Sequence, residues 1–268
     1  MNSKLVALLL LISLFQLDKV KAQLYELPPI QLDRPDLTES PYLTLKKYLQ
    51  VESGFLFEQN TKTNFDRTLT TPTMLIKYGI SDNFELRLVT ELVTTSTAVT
   101  STKTAISPIW IGFKTPLLKE KGIIPKTSFI AHLAIPTLSY PTLNNQHIAP
   151  QFRFVMQHSL SDKFSLAYNA GMEWDGINTQ GVFIYTLTTG YSITERLGCF
   201  VEGFGYYQPS FFTNHHVDGG VTYALNKNSV IDISLGYQYY GKNRANFISC
   251  GYSFRLNTSK QLQSIFVK

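Results

Sequence analysis

The chain has 268 residues, a formal charge of +5, 16% charged residues, and 18 Phe, 15 Tyr and 2 Trp. A typical soluble domain carries about 25% charged residues, so this chain is poor in charge and rich in rings. Its small, scattered excess of Lys and Arg gives no basic stripe for nucleic acid, and two cysteines do not make a disulfide scaffold.

The N-terminus reads as a secretory signal peptide over residues 1–22. Lys4 precedes an apolar run from Leu5 to Phe15, and Val20-Lys21-Ala22 offers small residues at a cleavage site before Gln23. The run is too short to span a bilayer as a helix, and no later apolar run approaches about 20 residues. A membrane role must therefore come from closed strands.

Residues 23–45 form an irregular segment. Pro28, Pro29, Pro35 and Pro41 argue against a strand or long helix there. Asp33, Arg34, Asp36 and Glu39 give it charges that could pair with groups inside a barrel, such as Lys77, Glu85, Arg87 or Arg153. A lumen plug is the expectation, with a tethering leader as the alternative.

From 46 to 256 the pattern has a period of two. In 163–174, Phe164, Leu166, Tyr168, Ala170, Met172 and Trp174 share one face, and Ser165, Ala167, Asn169, Gly171 and Glu173 the other. Twelve such strands are predicted, near 47–58, 67–78, 84–95, 105–115, 126–136, 149–160, 163–174, 182–192, 197–207, 216–225, 229–240 and 245–256. Tight Ser-, Asp- and Asn-containing turns, such as Ser81-Asp82-Asn83 and Ser161-Asp162-Lys163, alternate with longer loops such as Thr137 to Ile148. Residues 257–268 are a C-terminal tail. The fold class is thus all-β: a transmembrane antiparallel β-barrel of about 12 strands with an irregular N-terminal segment.

Lipid-facing charge is costly, so the charged residues of the strands are expected inside. The lumen candidates are Glu52, Glu58, Lys77, Glu85, Arg87, Glu91, Lys114, Arg153, Asn169, Glu173, Glu202, Asp232 and Arg255. In the strand near 84–95, Leu86 and Leu88 should meet lipid, Leu86 near mid-membrane, and Arg87 and Glu91 the lumen. Glu202 shares its parity with Phe200 and Phe204, so the lumen there is partly aromatic. Cys199 and Cys250 could pair in an exported protein, but two strands intervene, which favours free thiols.

Several stretches carry a resemblance. They are Leu32-Asp33-Arg34-Pro35-Asp36-Leu37-Thr38-Glu39-Ser40, Gln50-Val51-Glu52-Ser53-Gly54-Phe55, Tyr78 to Arg87, Gly112-Phe113-Lys114, Phe200 to Gly205 and Asp218 to Tyr223. Together they are similar to a large bacterial family of transporters labelled meta-pathway phenol-degradation proteins, from about Asp33 to Leu256. The resemblance implies an outer-membrane barrel involved in transport. The phenol of the label is not carried over. The tail after Leu256 departs from the terminal aromatic of many outer-membrane barrels.

Signals for catalysis are weak. His215-His216-Val217-Asp218 has metal-ligating residue types, but adjacent residues of a strand face opposite ways. No Gly-x-Ser-x-Gly elbow is present. The function expected is an outer-membrane channel or transporter passing a small solute, with no catalytic residues, metal or cofactor. The alternative is a structural or interaction barrel that uses its external loops. The expected partners are outer-membrane lipid, the solute and the barrel-assembly machinery.

Overall fold

The computed structural model describes residues 27–60, 66–97, 102–134, 147–208, 214–240 and 243–259. The signal segment, most of the loop from Thr137 to Ile148, and the tail beyond 259 lie outside the described residues.

The described strands are β1 (Tyr48–Asn60), β2 (Arg67–Ser81), β3 (Phe84–Ser96), β4 (Lys103–Ile106), β5 (Trp110–Leu118), β6 (Lys126–Ala134) and β7 (Ala149–Ser159). They continue with β8 (Phe164–Glu173), β9 (Val182–Ser192), β10 (Leu197–Tyr207), β11 (Asn214–Asn226), β12 (Ser229–Tyr240) and β13 (Asn243–Asn257). Each pairs antiparallel with its sequence neighbours, except that β4 and β5 pair with β3 and not with each other. β1 closes the sheet against β13, from Tyr48 opposite Asn257 to Asn60 opposite Ala245. The result is a closed barrel of twelve staves.

The fourth stave is broken, which corrects the single strand expected over 105–115. Both β4 and β5 pair with β3, and Ser107-Pro108-Ile109 interrupts them. Pro108 has no N–H to give to a ladder, so the strand cannot run through it. Pro72 is accommodated in a similar way, in the irregularity between Thr70 and Thr73 of β2.

The faces follow the period-two pattern. On β12, Ile233 is 45% exposed, Ser234 1% and Leu235 61%. Across the barrel the exposed face carries Leu133, Phe154, Leu187, Val201 and Val217, while buried side chains are mostly polar or charged. Apolar outside and polar inside is the arrangement a barrel needs in lipid. Cys199 and Cys250 lie on one outward row, Cys199–Val221–Ile233–Cys250. Three ladder steps put them about 14 Å apart, twice the reach of a disulfide, and both are free thiols.

The strand ends alternate between tight and long connections, and the N-terminal segment joins β1 at the tight-turn end. An epitope inserted between Thr179 and Gln180, in the long connection after β8, should be accessible on intact cells. One between Asp82 and Asn83 should become accessible only after the outer membrane is opened. Labelling of the second site in sealed cells would invert the orientation.

Candidate solute pathway

The N-terminal segment lies inside the barrel. At the tight-turn end Lys47 adopts φ 64° and turns the chain into β1, with its N–H donating to Gly79 O at 2.7 Å. Gly79 permits this passage: a Cβ there would stand 2.2 Å from Leu45 O. From that corner the segment loops up into the lumen and returns to the same end. Pro28 O accepts from Arg255, and the Thr44 N–H donates to Glu85 at 2.6 Å.

Asp33 is the central anchor. Its buried carboxylate lies 2.9 Å from Lys77 Nζ, 2.9 Å from Arg87 Nη1 and 2.9 Å from Lys114 Nζ. Its own N–H donates to Glu52 at 2.9 Å, and its Oδ1 accepts from the Ser40 N–H at 2.9 Å, fixing the bend of the segment. Three cations around one carboxylate are tolerable in a buried site because Glu52, Glu85 and Glu39 complete the network. Glu39 pairs with Arg87 and lies 3.8 Å from Arg153.

The opposite wall holds the segment differently. Glu202 on β10 accepts the N–H groups of Leu37 at 2.8 Å and Thr38 at 2.7 Å. Asn169 on β8 exchanges hydrogen bonds with the Glu39 backbone at 2.7 and 3.0 Å. Arg34 crosses to Asp232 on β12 at 3.4 Å, and donates to Ser249 at 3.0 Å and Thr73 at 2.9 Å. Its guanidinium rests on Gly54 and Gly251, which face each other across β1 and β13. A Cβ would come within 2.3 Å of it at the first and 2.7 Å at the second.

Placement of the sequence candidates is therefore uneven. Glu52, Lys77, Glu85, Arg87, Lys114, Arg153, Asn169, Glu202, Asp232 and Arg255 are buried and inward. Glu58, Glu91 and Glu173 are inward but only half-buried. Arg255 is apart from the central network, held by Pro28 O, Lys227 O and Asn228 Oδ1 near the tight-turn end. Arg34 pairs with Asp232 and not with Glu85. Among the described residues Asp36 forms no ion pair, and it lies near Glu202 and Asp218.

Some residues in the lumen escaped the sequence reading. Gln50 and Asp218 carry the same parity signal as Glu52 and Glu202, and both are buried. His132 accepts from Arg87 Nε at 3.2 Å. His216 faces inward and stacks on Phe204 with ring centroids 4.2 Å apart. His215 faces outward to Tyr185, 2.6 Å away. The two histidines thus stand on opposite sides of the wall. Among the described residues no group of three or more His, Cys, Asp or Glu is placed to hold a metal ion.

The segment divides the lumen. On the long-loop side lies a cavity of about 340 Å³, with Met74, Leu75, Val89 and Trp110 on one flank and Arg153 and Glu173 on the other. On the tight-turn side lies one of about 240 Å³, reaching Thr188, Phe200 and Thr222. Arg34 and Asp36 are the residues shared by both linings. Outside the barrel wall, Asp175 begins the long connection after β8. Burial acts to raise its carboxyl, but the amides of Asn178 and Ile177 outweigh that and hold it below the usual range.

Comparison with known proteins agrees with this architecture. The structure superposes on the COG4313 outer membrane channel from Pseudomonas putida F1 with a TM-score of 0.60, at 10% identity, over 83% of this chain and 99% of that one. It superposes on the NanC porin with a TM-score of 0.53, at 10% identity, over 78% and 100%. For the KdgM porin in complex with disordered oligogalacturonate the values are 0.50 and 10%, over 76% and 98%. At these identities the likeness is one of fold. No curated protein sequence matches the chain. A family model described as "Putative MetA-pathway of phenol degradation" matches residues 32–256, and the chain belongs to that family.

Proposed function

We propose that this protein is an outer-membrane channel for a small solute, exported by its signal peptide, inserted by the barrel-assembly machinery, and closed at rest by its own N-terminal segment. The observation that carries this reading is the kind of contact the segment makes. It is held in a polar lumen by ion pairs and hydrogen bonds centred on Asp33, Arg34, Glu39 and Glu202. An apolar core would resist water. A charged interface can exchange its partners for water, salt or a polar solute, and so can open without unfolding the barrel. The backbone ladder closes through β1 and β13 without the segment. No catalytic step is assigned to any residue.

The cavity on the long-loop side suits the entry of a solute. Trp110 and Val89 offer apolar surface, and Arg153 and Glu173 offer both signs of charge. Such a mixed lining orients a small molecule with one polar end.

Planar-bilayer recording tests the reading. Deleting residues 27–40 should raise single-channel conductance several-fold, while the barrel keeps its heat-modifiable migration on gels. A correctly folded deletion variant with wild-type conductance would reduce the segment to a tether.

A further inference from the structure

The lumen wall is not uniformly satisfied. Among the described residues, buried side-chain atoms without a hydrogen-bond partner occur at Arg34 Nε, Thr44 Oγ1, both ring nitrogens of His216, Asp218 Oδ1, Asp232 Oδ2, Ser234 Oγ and Ser253 Oγ. All but Thr44 belong to β11–β13 or to the arginine that faces them. The cation-bearing wall of β2, β3 and β5 has no such atom.

Their order along the barrel is regular. Inward rows recur every second residue. His216 and Asp218 occupy two successive rows of β11. Ser234 stands opposite Gly220 in the next row, and Asp232 opposite Thr222 in the one after. Ser253 stands opposite Val230, which is itself opposite Ala224, in the fifth. At least one polar side-chain atom without a hydrogen-bond partner therefore sits on each of five consecutive inward rows, from the outer part of the lumen towards the tight-turn end. Four steps of two residues cover about 27 Å of strand, comparable to the roughly 25 Å apolar band of an outer-membrane barrel. All five side chains are more than nine-tenths buried.

Open space meets this file at its outer end and again at its fourth row. At its outer end, the His216 row continues through Gln238 to Ala245, and both residues line a mouth cavity of about 230 Å³. Towards its inner end, the fourth row, that of Asp232, contains Thr222, which lines the cavity on the tight-turn side. Arg34 interrupts the file at Asp232, seated on the Gly54–Gly251 pair. It is also one of the two residues shared by the cavities on either side of the segment.

We propose that this file, His216–Asp218–Ser234–Asp232–Ser253, is a path for water and small monovalent cations past the N-terminal segment, and that Arg34 is its gate. The proposal rests on the channel reading above. Asp218 and Asp232, with Glu202 beside Asp218, favour cations and exclude anions. The hydroxyls and imidazole supply intermediate lone pairs that replace part of an ion's hydration shell. A guanidinium fixed at Asp232 opposes entry of another cation until it swings away. The Asp33 anchor need not release for this, because it bonds a different wall.

The test uses the full mature chain in planar bilayers under a potassium chloride gradient. Arg34→Gln should raise conductance and move the reversal potential towards the potassium equilibrium potential, while the segment stays protease-resistant. Adding Asp218→Asn and Asp232→Asn should take that shift away. Arg34→Gln with raised conductance but unchanged selectivity overturns the proposal. So does a triple variant that keeps its cation preference, or a preference abolished by Glu91→Gln instead. A folded barrel lacking residues 27–40 that never conducts would overturn the channel reading, and this path with it.

Discussion

Replacing Asp33 by alanine should release the N-terminal segment from the lumen and open the barrel. The expected result is a several-fold rise in conductance, with the segment becoming cleavable by protease from the tight-turn side. The reason is the number of charges that depend on one carboxylate. Lys77, Arg87 and Lys114 all reach Asp33 within 3.0 Å, and each is essentially removed from solvent. Removing one partner of a buried ion pair costs about 3–5 kcal/mol, because the remaining charge is left uncompensated. The docked segment can escape that cost by leaving and letting water reach the cations. A shift of this size changes the ratio of undocked to docked by roughly 150- to 5000-fold.

Glu39→Gln should act in the same direction but less. Its carboxylate is partly exposed, and Arg87 keeps Asp33 and Glu85 as partners. An Asp33→Ala protein whose segment stays protected and whose conductance is unchanged would show that the remaining contacts, such as those of Glu202, Asn169 and Arg34, suffice to hold the segment.

Much of this was legible in the sequence because a period of two leaves a strong imprint. The alternation around Tyr168 and Asn169 marks lipid and lumen faces, and the tight turns fix where strands reverse. Contacts across the lumen left no such imprint. Arg34 meets Asp232 across 198 residues of sequence, at a point set by how a proline-rich segment bends. Nothing in a strand's periodicity encodes that bend. The broken fourth stave was signalled by Pro108, since a residue without an N–H cannot continue a ladder. Asp218 was signalled by its parity with Thr222. The neighbouring His215 and His216 point towards metal chemistry, which residues on opposite faces of one strand cannot supply together.

Leucine-to-arginine substitution on the outer face should have a cost set by depth. Leu235 is 61% exposed on β12. It lies near the middle of a strand that runs from Ser229 to Tyr240, between Gly219 and Ile248 of its neighbours. Leu235→Arg therefore places a guanidinium near the midplane, at a cost of about 2–4 kcal/mol. Leu86 also faces outward, at 42% exposure, but it is the third residue of β3, next to the turn at Asp82 and Asn83. The mid-depth position expected for it is thus corrected to a rim position. There the arginine can reach the headgroups, and the cost should fall to about 0–1 kcal/mol. Reversible unfolding from lipid vesicles in guanidinium, followed by the fluorescence of Trp110 and Trp174, measures both. Equal penalties at the two sites, or a larger one at Leu86, would mean that the hydrocarbon band is not centred on the middle of β12, and the depth assigned to the file from His216 to Ser253 would move with it.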